Sequence, residues 1–250
     1  MGPGHRSQEP ATARQDAYRL GRDITGQYLL VAVADGMSDS GYSHLGANVA
    51  VSALVSLLRS ALVGGAEPAS LSAPELFIET SRQMLNAAEQ RSLSADDVRA
   101  AVLGAVIPVT ANRAGQREAW LAGVADVSAW HRRPGGWRHL AGTPKSGLDA
   151  NVLSEFLPYH SRKAASTIVR LEAGDVLALT TDGIADTFTM AEGAAAWFAE
   201  RWQYPPDIVS FLKDVSYEAR AQLDDRTAVV VWCEERGART RVGERSAKLV

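Results

Sequence analysis

Three aspartates sit where apolar runs stop or start, and their placement defines the chemistry open to this chain. Leu29-Leu30-Val31-Ala32-Val33-Ala34 runs into Asp35-Gly36, and Val176-Leu177-Ala178-Leu179-Thr180-Thr181 runs into Asp182-Gly183. Asp224-Asp225 precedes Thr227-Ala228-Val229-Val230-Val231-Trp232. A carboxylate is excluded from the middle of a buried strand, because burying it unpaired costs far more than a hydrogen bond returns. At strand ends the same residues can converge on one place. Clustered anions repel unless a cation holds them, and oxygen-only ligation suits Mg2+ or Mn2+. The residues alone therefore predict a metal-dependent enzyme.

The elements that must deliver these carboxylates are legible in the periodicity. Residues 28–34 read as a buried strand ended by Asp-Gly turn chemistry. From Ser43, Leu45, Val49, Val51, Leu54, Leu57, Leu58 and Leu62 recur at helical spacing until Gly64-Gly65 stops them. Ser72 is placed to cap a second helix over about 73–90. Strands are expected at 100–109, 117–124, 126–131 and 137–140, with Arg133-Pro134-Gly135-Gly136 as a hairpin turn. Residues 142–165 read as irregular, followed by strands at 166–171 and 175–181. Helices are expected at about 190–202 and 207–222, and a last strand at 227–233. Hairpin-linked strands with consecutive helices imply antiparallel sheets covered by helices, an α+β layered domain.

At 250 residues and 26.7 kDa the chain suits one large domain, or at most two small ones. A polar arm over 1–13 leads into a folded domain over 14–233, and the polar stretch 234–250 is expected to be disordered. A net charge of −3 favours neither nucleic acid nor an anionic membrane as partner. The single cysteine, Cys233, cannot form an internal disulfide and suits a reducing cytoplasm. The first residues lack the apolar core of a secretory signal, and no apolar run approaches the roughly 20 residues that cross a bilayer. A soluble, cytoplasmic protein is the expectation. His5, His44, His131, His139 and His160 show no metal-ligand spacing, and the six tryptophans are scattered, as core packing would have them.

Four landmarks in order resemble the metal-dependent (type 2C) Ser/Thr protein phosphatases, the short bacterial members above all. Arg14-Gln15-Asp16 is similar to the family's opening Asn-Gln/Glu-Asp motif, and Val33-Ala34-Asp35-Gly36-Met37 to its Asp-Gly metal motif. Thr180-Thr181-Asp182-Gly183-Ile184-Ala185-Asp186 resembles Asp-Gly-x-x-Asp, and Leu223-Asp224-Asp225-Arg226-Thr227 the closing Asp-Asn/Asp-x-Thr. The resemblance implies a four-layer αββα sandwich, two antiparallel sheets flanked by pairs of helices. It also implies two Mn2+ or Mg2+ ions, with Asp35 bridging them, the Gly36 carbonyl on one, and Asp182 and Asp224 completing the set. Asp16 would hold metal-bound water. Asp126 and Asp186 would bind a third ion. Such a centre activates a bridging hydroxide for in-line attack on a phosphoserine or phosphothreonine ester. The implied partner is a phosphorylated protein, the product of a Ser/Thr kinase.

The chain departs from the family pattern at several places. Met37 stands where eukaryotic members carry His, and Ser38-Asp39 replace glycines; Asp39 either adds charge near the metals or caps a turn. Ala125, before Asp126, replaces a glycine and makes the backbone turn there less free. The spacing of the family's phosphate-binding Arg lands on Ala11; Arg14 is the nearby candidate, against a reading as a solvated arm charge. These departures support an alternative, a catalytically weak pseudophosphatase acting as a binding or regulatory module.

Overall fold

The computed structural model describes residues 13–142, 155–217 and 224–234. The arm before residue 13, the tail after 234, and much of the stretch expected to be irregular lie outside the described residues, as does the end of the helix expected to reach 222. Among the described residues, nine strands form two antiparallel sheets. The first sheet has the order β1-β2-β3-β4-β7, with β1 Ala17–Arg22, β2 Tyr28–Gly36, β3 Ala100–Pro108, β4 Arg117–Val124 and β7 Ala165–Leu171. The second has the order β6-β5-β8-β9, with β5 Ser128–Arg133, β6 Gly136–Ala141, β8 Val176–Thr180 and β9 Ala228–Trp232.

Helices α1 (Ser43–Ala61) and α2 (Ala73–Glu89) cover the first sheet. Gly21 and Gly104 lie directly beneath Val55 and Leu54 of α1. Their register partners Leu30 and Ala32 share that face, so the alternate residues Val31 and Val33 point toward the second sheet. Burial on both faces explains why β2 reads as a continuous apolar run rather than an alternating one. The Ser72 hydroxyl accepts from the Glu75 amide at 3.5 Å and opens α2 as expected.

Among the described residues, three shorter helices cover the second sheet: α3 (Asp182–Met190), α4 (Ala194–Arg201) and α5 (Ile208–Val215). The sandwich expectation holds, but this outer layer is a trio, and α3 begins at Asp182 itself rather than near residue 190. Its packing also differs in kind. Trp130, Phe188, Phe198 and Trp202 form an aromatic cluster, with Phe198 and Trp202 centroids 4.7 Å apart, so the tryptophans are more grouped than their spacing indicates. Strand β1 was absent from the periodicity: it is an edge strand whose Tyr18 and Leu20 remain half exposed. Among the described residues, no helix is long and apolar enough to cross a membrane.

Register sets where the strands end together. Ala17 pairs with Ala34, Ala34 with Val102, and Val102 with Val124. The entrance to β1 and the exits of β2 and β4 therefore lie in one row. In the second sheet Ser128 pairs with Thr180 and Thr180 with Ala228, so the exit of β8 meets the entrance to β9.

Candidate active site

The two rows face each other at one end of the sandwich. The Thr181 hydroxyl, after β8, donates to Asp16 Oδ2, before β1, at 2.8 Å. The Gln15 amide donates to Asp225 Oδ2, before β9, at 2.7 Å. Asp35 occupies the last-but-one position of β2, Asp126 the turn after β4, Asp182 the first turn of α3, and Asp224 the approach to β9. Asp186 follows Asp182 one helical turn later on α3. The structure thus brings every aspartate singled out in the sequence to the same end.

Their closeness shows in the proton equilibria. Burial, followed by the charges of Asp182, Asp16, Asp126 and Asp224, pushes the Asp35 carboxyl well above the usual carboxylate range. Burial also pushes Asp16 up to about 7; hydrogen bonds from Thr227 and Thr181 oppose the rise, the Asp225 charge adds to it, and Arg14 subtracts. Four acidic neighbours around one acid is an arrangement that a hard divalent cation relieves, and the donor set is all oxygen.

Two glycines let the backbone close around this end. A Cβ on Gly36 would meet the Gln15 carbonyl and Ser43 at 2.9 Å, so the β2 exit has no space for a side chain. A Cβ on Gly183 would lie 2.1 Å from the Asp225 carbonyl, so α3 can dock on the Asp224–Thr227 loop only as glycine. That docking also explains the early start of α3. A helical glycine costs about 1 kcal/mol in propensity, and tertiary contact outweighs it. In residue type and convergence the site fits divalent cations. Among the described residues, however, no three His, Cys, Asp or Glu side chains stand together as a ready metal grip.

Arg14 is engaged rather than solvated: its guanidinium donates to the Thr227 hydroxyl and to the Arg226 carbonyl. Asp39 turns outward and pairs with Arg99 at 3.0 Å. Ala125 takes a left-handed conformation, φ 74°, where the family's glycine would sit without strain. Sequence reasoning passed over Asp225, which is buried and braces Gln15, and Thr181, which links Asp16 to the Thr227 amide. The Asp-Asp and Thr-Thr doublets were visible; which member of each faces inward was not. Tyr217 was also missed: its hydroxyl donates to the Gly183 carbonyl at 2.8 Å, and the Arg226 guanidinium lies 4.2 Å above its ring.

A family model described as protein phosphatase 2C matches residues 1–224. Among solved structures, the fold is similar to the serine/threonine phosphatase Stp1 from Staphylococcus aureus, at TM-score 0.68 and 13% identity, covering 91% of this chain and 92% of that one. It is also similar to a bacterial serine phosphatase, at TM-score 0.66 and 13% identity, over 90% and 94% of the two chains. PppA, a regulatory component of the type VI secretion system in Pseudomonas aeruginosa, matches at TM-score 0.61 and 18% identity, over 89% and 92%. No curated protein matches the sequence.

Proposed function

Because the chain belongs to the protein phosphatase 2C family, we propose that it is a phosphatase acting on phosphoserine and phosphothreonine in proteins. In this reading Asp35, the Gly36 carbonyl, Asp182 and Asp224 hold two Mn2+ or Mg2+ ions, and Asp126 with Asp186 holds a third. The observation that carries it is the crowding of four carboxylates around Asp35 from separate strand ends. The family is generally metal-dependent, and the fold neighbours include proteins described as serine and serine/threonine phosphatases.

When bound, such ions supply an acidified water and charge for the phosphoryl oxygens. The chain's own residues do the rest. Asp16, pinned by Thr181, orients water at the cluster. Arg14, anchored on Thr227 and the Arg226 carbonyl, offers its remaining N–H groups to the phosphoryl oxygens. Gly183 and Tyr217 fix α3, and with it Asp182, against the Asp224 loop. A cysteinyl-phosphate route has no support, since Cys233 lies at the opposite end of the sandwich with its thiol pushed by burial to about 11. The substrate of this reading is a phosphoprotein made by a Ser/Thr kinase.

The test is hydrolysis of a phosphothreonine peptide and of p-nitrophenyl phosphate with Mn2+, Mg2+ or chelator, alongside Asp182→Asn. Metal-dependent turnover that falls on the order of 10³-fold in the variant is expected. Mn2+ bound in calorimetry with no turnover would overturn the hydrolase reading and leave the binding module, which the strained Ala125 favours. Preference for sugar phosphates over the peptide would move the substrate class to small phosphoesters.

A further inference from the structure

At the end remote from the carboxylates, the two sheets part to form a cleft of about 770 Å³. Its floor is apolar, from Leu29, Ile107 and Val231, and its rim carries Arg22, Arg113 and Arg117. Strand parity explains the gathering. Arg22 pairs with Leu29 and Leu29 with Ile107, so all three point into the space between the sheets. Arg117 is fixed across the opening, its Nη2 donating to the Glu234 carbonyl at 2.9 Å and its Nε to the Val109 carbonyl at 3.4 Å. The guanidinium groups of Arg22 and Arg113 make no hydrogen bond or ion pair with any described residue.

Among the described residues, the lining sets one acid, Glu234, against these three cations, in a chain whose net charge is −3. The cleft is therefore positive on a protein that is negative as a whole. Its volume lies within the roughly 300–1,000 Å³ of small-molecule sites, which pair an apolar lining with a few placed polar groups. Inorganic phosphate would leave the apolar floor wet, and a neutral apolar ligand would leave the arginines unused. We propose that this cleft is a second binding site, for a small organic acid with one anionic head and an apolar body. The head would meet Arg22 and Arg113, and the body would lie on Leu29, Ile107 and Val231. Six steps along β2 separate Leu29 from Asp35, about 20 Å at strand rise, so the site is independent of the carboxylates.

The probe is 8-anilino-1-naphthalenesulfonate, titrated by fluorescence into the full chain beside its uncharged counterpart N-phenyl-1-naphthylamine. Saturable binding of one sulfonate per chain is expected, weakening as NaCl rises from 0.05 to 0.5 M. The double variant Arg22→Glu/Arg113→Glu should weaken the sulfonate about tenfold and leave the uncharged dye and phosphatase turnover unchanged. Arg113→Ala, an exposed turn position, repeats the test with a smaller step should the double variant misfold. Absence of saturable binding overturns the proposal, as does salt-independent binding. Equal affinity in wild type and both variants, or loss of binding in Asp182→Asn, would place the dye elsewhere and overturn it too.

Discussion

The two ends of the sandwich are built from the same strands and treat charge in opposite ways. At one end Asp16, Asp35, Asp126, Asp182 and Asp224 crowd together, and burial with mutual repulsion drives Asp35 and Asp16 upward. At the other, Arg22 and Arg113 stand exposed around an open cleft, where water screens them. There His131 Nε2 lies 2.9 Å from Asp175 Oδ2, so the buried acid has a hydrogen-bond partner beside it. Like charges that are desolvated require a third party, and unlike or solvated ones do not. In the proposed reading a cation completes the carboxylate end, whereas Arg22 and Arg113 at the other end are exposed to water.

The sharpest way to break the contrast is Gly183→Ala. A methyl 2.1 Å from the Asp225 carbonyl forces α3 away from the loop that carries Asp224. Destabilisation of about 1–3 kcal/mol and a loss of turnover on the order of 10²-fold are expected, read by thermal melts and by the phosphopeptide assay. The same change at an exposed glycine of the arginine end, Gly115→Ala, should leave turnover unchanged.

The two ends should also answer pH with opposite signs. Asp16 binds its proton more tightly folded than unfolded, so in chelator its contribution is fully present below 3.8 and is lost as pH rises to about 7. Added Mn2+ should abolish that loss, on the order of a few kcal/mol; a melting temperature flat from pH 4 to 7 in chelator would contradict the crowding. At the far end, burial lowers His131 below 6.5, with Arg133 and Arg138 acting in the same sense and Asp175 opposing. Its neutral form is the folded one, so stability is lost as pH falls from 6.5 through the lowered value. His131→Gln should flatten that acid limb of the melting profile. The smallest expected effect is a gain: Ala125→Gly releases the left-handed strain beside Asp126 and should stabilise the fold by up to about 1 kcal/mol.

Much of this was legible in the residues. Strand β4 occupies 117–124 as its pattern indicates, α1 and α2 start at Ser43 and after the Ser72 cap, and the aspartates at run ends do converge. These features follow from periodicity and capping, which act over a few neighbouring residues. Strand β1, the start of α3, the inward choice of Asp225 and the arginine cleft were not legible, because contacts between distant segments decide them. Thr181 and Asp16 are separated by 165 positions and Gln15 and Asp225 by 210. The sequence by itself determined that carboxylates would stand at strand ends, since desolvation forbids them elsewhere. Only the tertiary structure decided which of them share one space, because antiparallel register alone aligns the exit of β2 with the entrance to β1 and sends Arg22 to the other end.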